Sequence, residues 1–360
     1  MTTMGTKETQ ETTTLQIEQI IRRNILSLKP YSCAREEFSG QDVTLLDANE
    51  NPYDTGYNRY PDPYQQELKQ SLARLKGVKT EQMVLGNGSD ELIDMLIRTT
   101  CEPNRDNIIV FSPSYSMYEV SGHINAVEVR SLKLGTDFMP PWEQLFHAVD
   151  ARTRAIFFCT PNNPTGNRWP LEKIREVADR FEGLVIVDEA YMDFVQGGES
   201  AVSLLQEFPR VVVLQTLSKA WGLAGLRIGI CMGNPILVNY LNRVKPPYNI
   251  GGLTQRTALN ALEDTTAFYE RVAEIVSERK TLYEAFGKMT LFTKVYPSEA
   301  NFLLLCTPQY KEVYDYLVAH DIVVRIRHLP PLIEGGLRIT VGTPKENVHL
   351  LELLANYTRT

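Results

Sequence analysis

From residue 83 to residue 219 the chain repeats one event: a short apolar run ends in polar or turn-forming residues, and an amphipathic stretch follows. MVL leads into GNGSDE and then LIDMLIR. IIVF leads into SPSYSMY. AIFFCT leads into PNNPTG and then PLEKIREVADRF, in which Leu171, Ile174, Val177 and Phe181 fall on one helical face. VIV leads into DEAY, and VVVLQT into LSK. The runs are β-branched and do not alternate with polar residues, so they read as strands buried on both faces. Strands of this kind separated by helices predict an α/β domain with a parallel sheet. Before it, a helical pattern from Leu15 stops near Leu28, ahead of Pro30. Residues 31–64, including LDANENPY and NRYPDP, read as loop, and a helix is expected from Tyr64 to Lys76. After about residue 250 the pattern changes. A long helix at 267–288 precedes strand-like NFLLLC (301–306), IVVRIR (322–327) and LRITVG (337–342), which predicts a smaller α+β domain. VKPPYNIGG is the candidate hinge.

Composition narrows the possibilities. The 360 residues are 43% hydrophobic, enough for one large and one smaller domain. A net charge of −7 argues against a nucleic-acid partner. No apolar run is long enough to span a membrane. The cysteines (Cys33, Cys101, Cys159, Cys231 and Cys306) are scattered and odd in number, which points to reduced thiols in the cytoplasm and to no metal site. The polar, threonine-rich residues 1–14 lack a signal-peptide core and are expected to be disordered.

The chemistry stands at the strand ends, where ligands bind in such sheets. Lys219 follows VVVLQT and precedes the nearly uncharged WGLAGL. Burial there would lower its amine pKa and make it a nucleophile, the alternative being a solvated lysine. Asp188 ends VIV; it is either a cap or salt-bridge partner, or a carboxylate facing a protonated pyridine nitrogen. Tyr191, three residues on, could bond the same ring. GNGSDE, covering Asn87, Gly88, Ser89 and Asp90, opens a helix and suits a phosphate, although Ser89 could equally be a plain N-cap. Ser218 and Arg227 offer a hydroxyl and a guanidinium to the same phosphate. Tyr115 is a stacking candidate or a core residue, and PNNPTG a site loop or a plain turn. An amine, a carboxylate, a phosphate cradle and an aromatic platform together make up the set that binds pyridoxal 5′-phosphate.

With TLSKAWGLAGLRIG, PNNPTG and VIVDEAY in this order, the chain resembles the fold-type I, pyridoxal-phosphate-dependent aminotransferases of class I/II from about residue 15 to 357. The resemblance implies a mostly parallel central sheet with helices on both faces. The expected division is an arm and part of the small domain at 15–55, a large cofactor-binding domain at 56–255 and a small domain at 256–360. It implies that Lys219 carries the cofactor, Asp188 faces the ring nitrogen, Asn163 and Tyr191 bond the ring's phenolic oxygen, and Tyr115 stacks on the ring. Asn87 to Asp90, Ser218 and Arg227 would hold the phosphate, with Tyr60 reaching across a homodimer interface. LKPYSCAR, LDANENPY, NRYPDP, PSYSMY, KPPYNI and LRITVGTPKEN resemble the branch that exchanges the amino group of histidinol phosphate with 2-oxoglutarate, giving glutamate. That branch implies Tyr31, Asn163, Arg325 and Arg338 against the substrate, the alternative for Arg325 being a strand-edge salt bridge, with Arg327 beside it as a second choice. Aromatic-amino-acid aminotransferases and threonine-phosphate decarboxylases on the same scaffold are the alternatives. A nicotinamide dehydrogenase lacks its GxGxxG here, and a transcription regulator lacks its basic module.

Overall fold

The structure is a computed structural model describing residues 13–29 and 44–357. Seven strands form its main sheet: β1 (Met83–Asn87), β2 (Asn107–Ser112), β3 (Glu128–Lys133), β4 (Thr153–Cys159), β5 (Leu184–Asp188), β6 (Val211–Thr216) and β7 (Ile228–Met232). Their order is β1-β7-β6-β5-β4-β2-β3. β7 runs antiparallel to β1 and β6, and the remaining pairs are parallel. The sheet is therefore mostly parallel, as expected. Successive residues of the central strands enter opposite cores. Ile156, Phe158, Val185, Val187 and Val213 pack with Leu68, Leu72, Ile174 and Val177 from helices Gln66–Lys76 and Leu171–Arg180. Ala155, Phe157, Ile186, Val212 and Leu214 pack with Ile93, Leu96, Leu237 and Leu241 from helices Ser89–Thr100 and Pro235–Val244. Helices thus cover both faces, which is why these strands read as unbroken apolar runs.

Two strands of this sheet were not evident from the pattern. β3 is an edge strand with no fully buried position, so its residues show no apolar run. β7 is apolar, but it follows the Lys219 segment so closely that it reads as that motif's tail.

A second sheet holds β8 (Lys294–Tyr296), β9 (Phe302–Cys306), β10 (Arg325–Ile326) and β11 (Gly336–Thr340) in the antiparallel order β10-β11-β9-β8. Helices Thr265–Gly287, Tyr310–Ala319 and Pro344–Ala355 pack Leu282, Phe286, Val313, Leu317, Leu350 and Leu354 against Leu303, Leu305, Leu337 and Ile339. The strand expected over 322–327 is shorter than its apolar run.

At the start of the chain, the single helix expected from Leu15 to Leu28 is broken. Residues 13–18 are helical, a turn follows, and Arg23–Leu26 forms a second short helix. The interruption has a tertiary cause: the Arg22 N–H donates to Thr99 O at 3.0 Å, and its guanidinium pairs with Glu102. Residues 13 and 14, expected in a disordered start, are helical instead. The rest of that segment, 1–12, lies outside the described residues. Among the described residues no helix is long and apolar enough to cross a membrane.

Candidate active site

The carboxyl ends of β4, β5 and β6 lie side by side, since Cys159 and Leu214 are the register partners of Asp188. Asp188 is 3% exposed. Its Oδ2 accepts the Tyr118 hydroxyl at 2.7 Å and its Oδ1 accepts the Ala190 N–H at 3.1 Å. Burial pushes its carboxyl up to about 6, against the pull of the Tyr118 hydrogen bond. Lys219 lies just past β6, with Nζ 5.7 Å from the centroid of the Tyr191 ring. Burial and then the Arg338 guanidinium push its amine down, opposed by Asp188. The lowered amine favours the unprotonated, nucleophilic form of Lys219, whereas Asp188 is ionised only above about pH 6. The hydroxyl of buried Tyr191 is pushed up, first by burial, and its ring meets Phe302 edge-on at 5.2 Å.

The turn between β1 and the helix Ser89–Thr100 forms a cradle. Gly88 is the N-cap at φ 79°, in the left-handed region. Its N–H donates to Arg227 O at 2.8 Å. A Cβ on Gly88 would come within 2.4 Å of Arg227 Nη2, so glycine is what lets that guanidinium reach the turn. Ser89 is the first helical residue and caps nothing with its side chain, which excludes the N-cap alternative. Arg227 lies 3.6 Å from Asp90, whose Oδ1 accepts the Tyr115 hydroxyl at 2.8 Å. Ser218 Oγ accepts the Thr216 hydroxyl at 3.0 Å.

Opposite the cradle stand arginines of the smaller sheet. Arg325 and Arg338 are register partners on β10 and β11. Arg338 donates to Asn163 Oδ1 and lies over the Phe302 ring, its Cζ 5.2 Å from the centroid. Burial holds Arg338 below its ordinary range, and Arg325 adds to that. Arg327 is likewise held down by burial, then by Arg338 and Arg325. Among the described residues no carboxylate is salt-bridged to these guanidiniums.

These groups meet in one cavity of about 200 Å³. Of the residues singled out in the sequence, Ser89, Asp90, Tyr115, Asn163, Asp188 and Tyr191 line it, as do Ser218, Lys219, Arg227 and Arg338. Gly88 stands behind its wall. Asn87 is turned away, its N–H donating to Glu91 at 2.5 Å and its amide to Asn249 O. The lining side chain here is that of Arg327, just past β10, and not that of Arg325. Tyr60 lies elsewhere, stacked on Tyr248 at 4.5 Å beside a separate cavity of about 760 Å³. Tyr31 lies outside the described residues. Cys159 and Thr216 also line the site and were not among the expected residues; Arg327 was expected only as the second choice to Arg325. The i, i+2 spacing of Arg325 and Arg327 is the signal that could have found the latter.

A lysine just past a buried strand, a buried carboxylate on the next strand and an anion cradle at a helix N-terminus define a pyridoxal-phosphate type of site on an aminotransferase fold. Residues 41–354 match the model of the family described as aminotransferase class I and II, and the chain belongs to that family. It is 46% identical over 344 residues to histidinol-phosphate aminotransferase of Flavobacterium johnsoniae, spanning 95% of this chain and 98% of that one. Identity to the Cytophaga hutchinsonii protein of the same name is 46% over 345 residues, spanning 95% and 99%. Among solved structures, histidinol-phosphate aminotransferase from Clostridium acetobutylicum matches with a TM-score of 0.75 at 25% identity, over 83% of this chain and 90% of that one. The Sinorhizobium meliloti enzyme, in complex with pyridoxal-5′-phosphate, matches at 0.74 and 25% identity, over 82% and 83%.

The residues fit that cofactor on the structure's own terms. The Gly88 turn leaves room for an anion beside Arg227 and the helix N-terminus. Asp188 is a buried carboxylate with no cationic hydrogen-bond partner among the described residues, suited to a protonated ring nitrogen.

Proposed function

We propose that the chain transfers the amino group of L-histidinol phosphate to 2-oxoglutarate, reversibly, giving 3-(imidazol-4-yl)-2-oxopropyl phosphate and L-glutamate, as a step of histidine biosynthesis. The observation that carries this reading is the cavity itself, which joins Lys219 and Asp188 to two arginines, Arg327 and Arg338. The printed names of the relatives at 46% identity support the same substrate. Bound pyridoxal phosphate supplies an electron sink for the charge left on the substrate's amine-bearing carbon.

The chain's own groups do the rest. Lys219 would hold the cofactor through its amine and, once free, would take and return a proton at Nζ. Burial and the Arg338 guanidinium lower its pKa, which favours the unprotonated Nζ that accepts a proton. Asp188 holds a negative charge at the ring nitrogen. Asn163 and Tyr191 would hold the ring's phenolic oxygen, and Tyr115, oriented by its hydrogen bond to Asp90, would pack on the ring. Ser89 and Asp90 would present backbone N–H groups to the cofactor phosphate; Gly88, its own N–H held by Arg227 O, gives the turn its left-handed shape, Ser218 and Arg227 complete that cradle, and Asn87 leads into it. Arg338, with Arg325 and Arg327 beside it, grips the acidic end of either substrate. A guanidinium fork accepts phosphate and carboxylate alike, so one site serves both half-reactions. Tyr31 is assigned to the substrate side by resemblance.

We take the active unit to be a homodimer in which Tyr60 serves the partner's site, a role supported by its absence from the lining of its own chain's cavity. The same reading divides the chain into 15–55, 56–255 and 256–360. A cytoplasmic setting suits the free, buried thiols Cys101, Cys159, Cys231 and Cys306. The assay is glutamate formation from 2-oxoglutarate with histidinol phosphate, phenylalanine or threonine phosphate. Preference for histidinol phosphate supports the proposal, and preference for another donor, or carbon dioxide release from threonine phosphate, replaces it.

A further inference from the structure

We propose that Tyr118 is a positioning residue for this reaction: its buried hydroxyl fixes the Asp188 carboxylate and keeps it charged opposite the cofactor's ring nitrogen. The inference rests on the role given to Asp188 above. Tyr118 ends the PSYSMY motif. It is 1% exposed, on the helix Met117–Ile124. Its ring stacks on Phe157 at 4.9 Å and meets Tyr115 edge-on at 5.5 Å, so it is held on two sides and the hydroxyl has little freedom to turn elsewhere.

A buried phenol needs an acceptor, and a backbone carbonyl would have sufficed. This one donates instead to Asp188 Oδ2, at 2.7 Å. It is the only side-chain donor to that carboxylate among the described residues. With Ala190 N–H on Oδ1, each oxygen keeps a lone pair for a further donor from the cavity. The other charged and titratable groups facing Asp188 are few. Asp90 opposes its charge and Lys219 favours it, while burial holds the Tyr191 hydroxyl and the Cys159 thiol neutral. Removing the Tyr118 hydroxyl leaves burial and Asp90 against Lys219 and one backbone amide.

Tyr118→Phe keeps the ring and removes the donor. In the holoenzyme two midpoints are measured: the acid limb of kcat/KM, and the pH at which half the cofactor is lost on gel filtration. A hydrogen bond to a charged group predicts that both move up by about 1 to 2 pH units. Tyr118→4-aminophenylalanine, a weaker donor in the same place, should move them less far, and it carries the test alone if the phenylalanine variant does not fold. Unmoved midpoints overturn the proposal, as does a loss of activity that is uniform across pH, the mark of simple packing. Asp188→Asn separates this inference from the one beneath it. Normal turnover in Asp188→Asn would remove Asp188 from the ring nitrogen and Tyr118 with it. An inactive Asp188→Asn together with unmoved midpoints in Tyr118→Phe removes Tyr118 alone. On the Asp188→Asn background, Tyr118→Phe should add no further shift in cofactor retention.

Discussion

Gly229→Ala is the sharpest probe of the phosphate cradle, because the structure states what the added methyl would strike. Gly229 is on β7, behind the turn that opens the helix Ser89–Thr100. Its Cβ would come 2.4 Å from Gly88 C, 2.5 Å from Ser89 N and 2.6 Å from Gly88 O. All three are backbone atoms, so no side chain can rotate out of the way. Ordinary contact begins near 3.4 Å, so the turn must retreat by about 1 Å. Overpacking of this kind costs about 1–3 kcal/mol of stability. The larger effect falls on the cofactor. A retreat of that size breaks one or two charge-assisted hydrogen bonds to its phosphate, which predicts a Kd for pyridoxal phosphate weakened roughly ten- to a hundredfold. Titration of the cofactor-free variant, followed by absorbance, gives the Kd, and a thermal melt of the same sample gives the stability. Gly225→Ala is the matched control four residues away, with nothing within 4 Å of its added Cβ. If Gly229→Ala melts early but binds the cofactor as tightly as Gly225→Ala, the 88–89 turn is not the phosphate site.

Other consequences are equally direct. Arg327→Ala should raise KM for the phosphorylated substrate roughly ten- to a hundredfold, and Arg325→Ala, at a position that does not line the cavity, should raise it less; steady-state kinetics of the two variants decides, and the reverse order would return the role to Arg325. Asp188 is a liability in the cofactor-free chain: burial lifts its carboxyl from 3.8 to about 6, so the folded state binds a proton that the unfolded state gives up near 4. Stability from this group is therefore present below pH 4 and lost as the pH rises to 6, by about 3 kcal/mol at about 1.4 kcal/mol per pH unit. Asp188→Asn should raise the melting temperature of the cofactor-free protein at pH 7.5 while abolishing turnover, and a lower melting temperature would contradict this. Mixed dimers of a Tyr60→Phe subunit with a Lys219→Ala subunit should regain one intact site if Tyr60 acts across the interface, and none if it acts within its own chain.

What the sequence disclosed followed burial. β2, β4, β5 and β6 were visible because both faces are covered, so Ile108, Ile156, Val187 and Val213 sit among other apolar residues. β3 escaped because an edge strand such as EVRSLK carries no such run. Lys219 and Asp188 were visible for the same reason, as charges placed where apolar strands stop. Their partners were not. Tyr118 is 70 positions from Asp188 and Arg338 is 175 from Asn163, and no local pattern records which residue a fold brings opposite another. Arg327 was hidden differently: it follows β10 two residues after Arg325, and the local sequence offers both guanidiniums without showing which of them lines the cavity.

The central claim is that one amine carries the cofactor. Borohydride reduction of the holoenzyme, digestion and mass spectrometry locate it. The account predicts a phosphopyridoxyl group on the peptide containing Lys219. The same group found on the buried Lys69 or Lys245, or on no peptide at all, would contradict it.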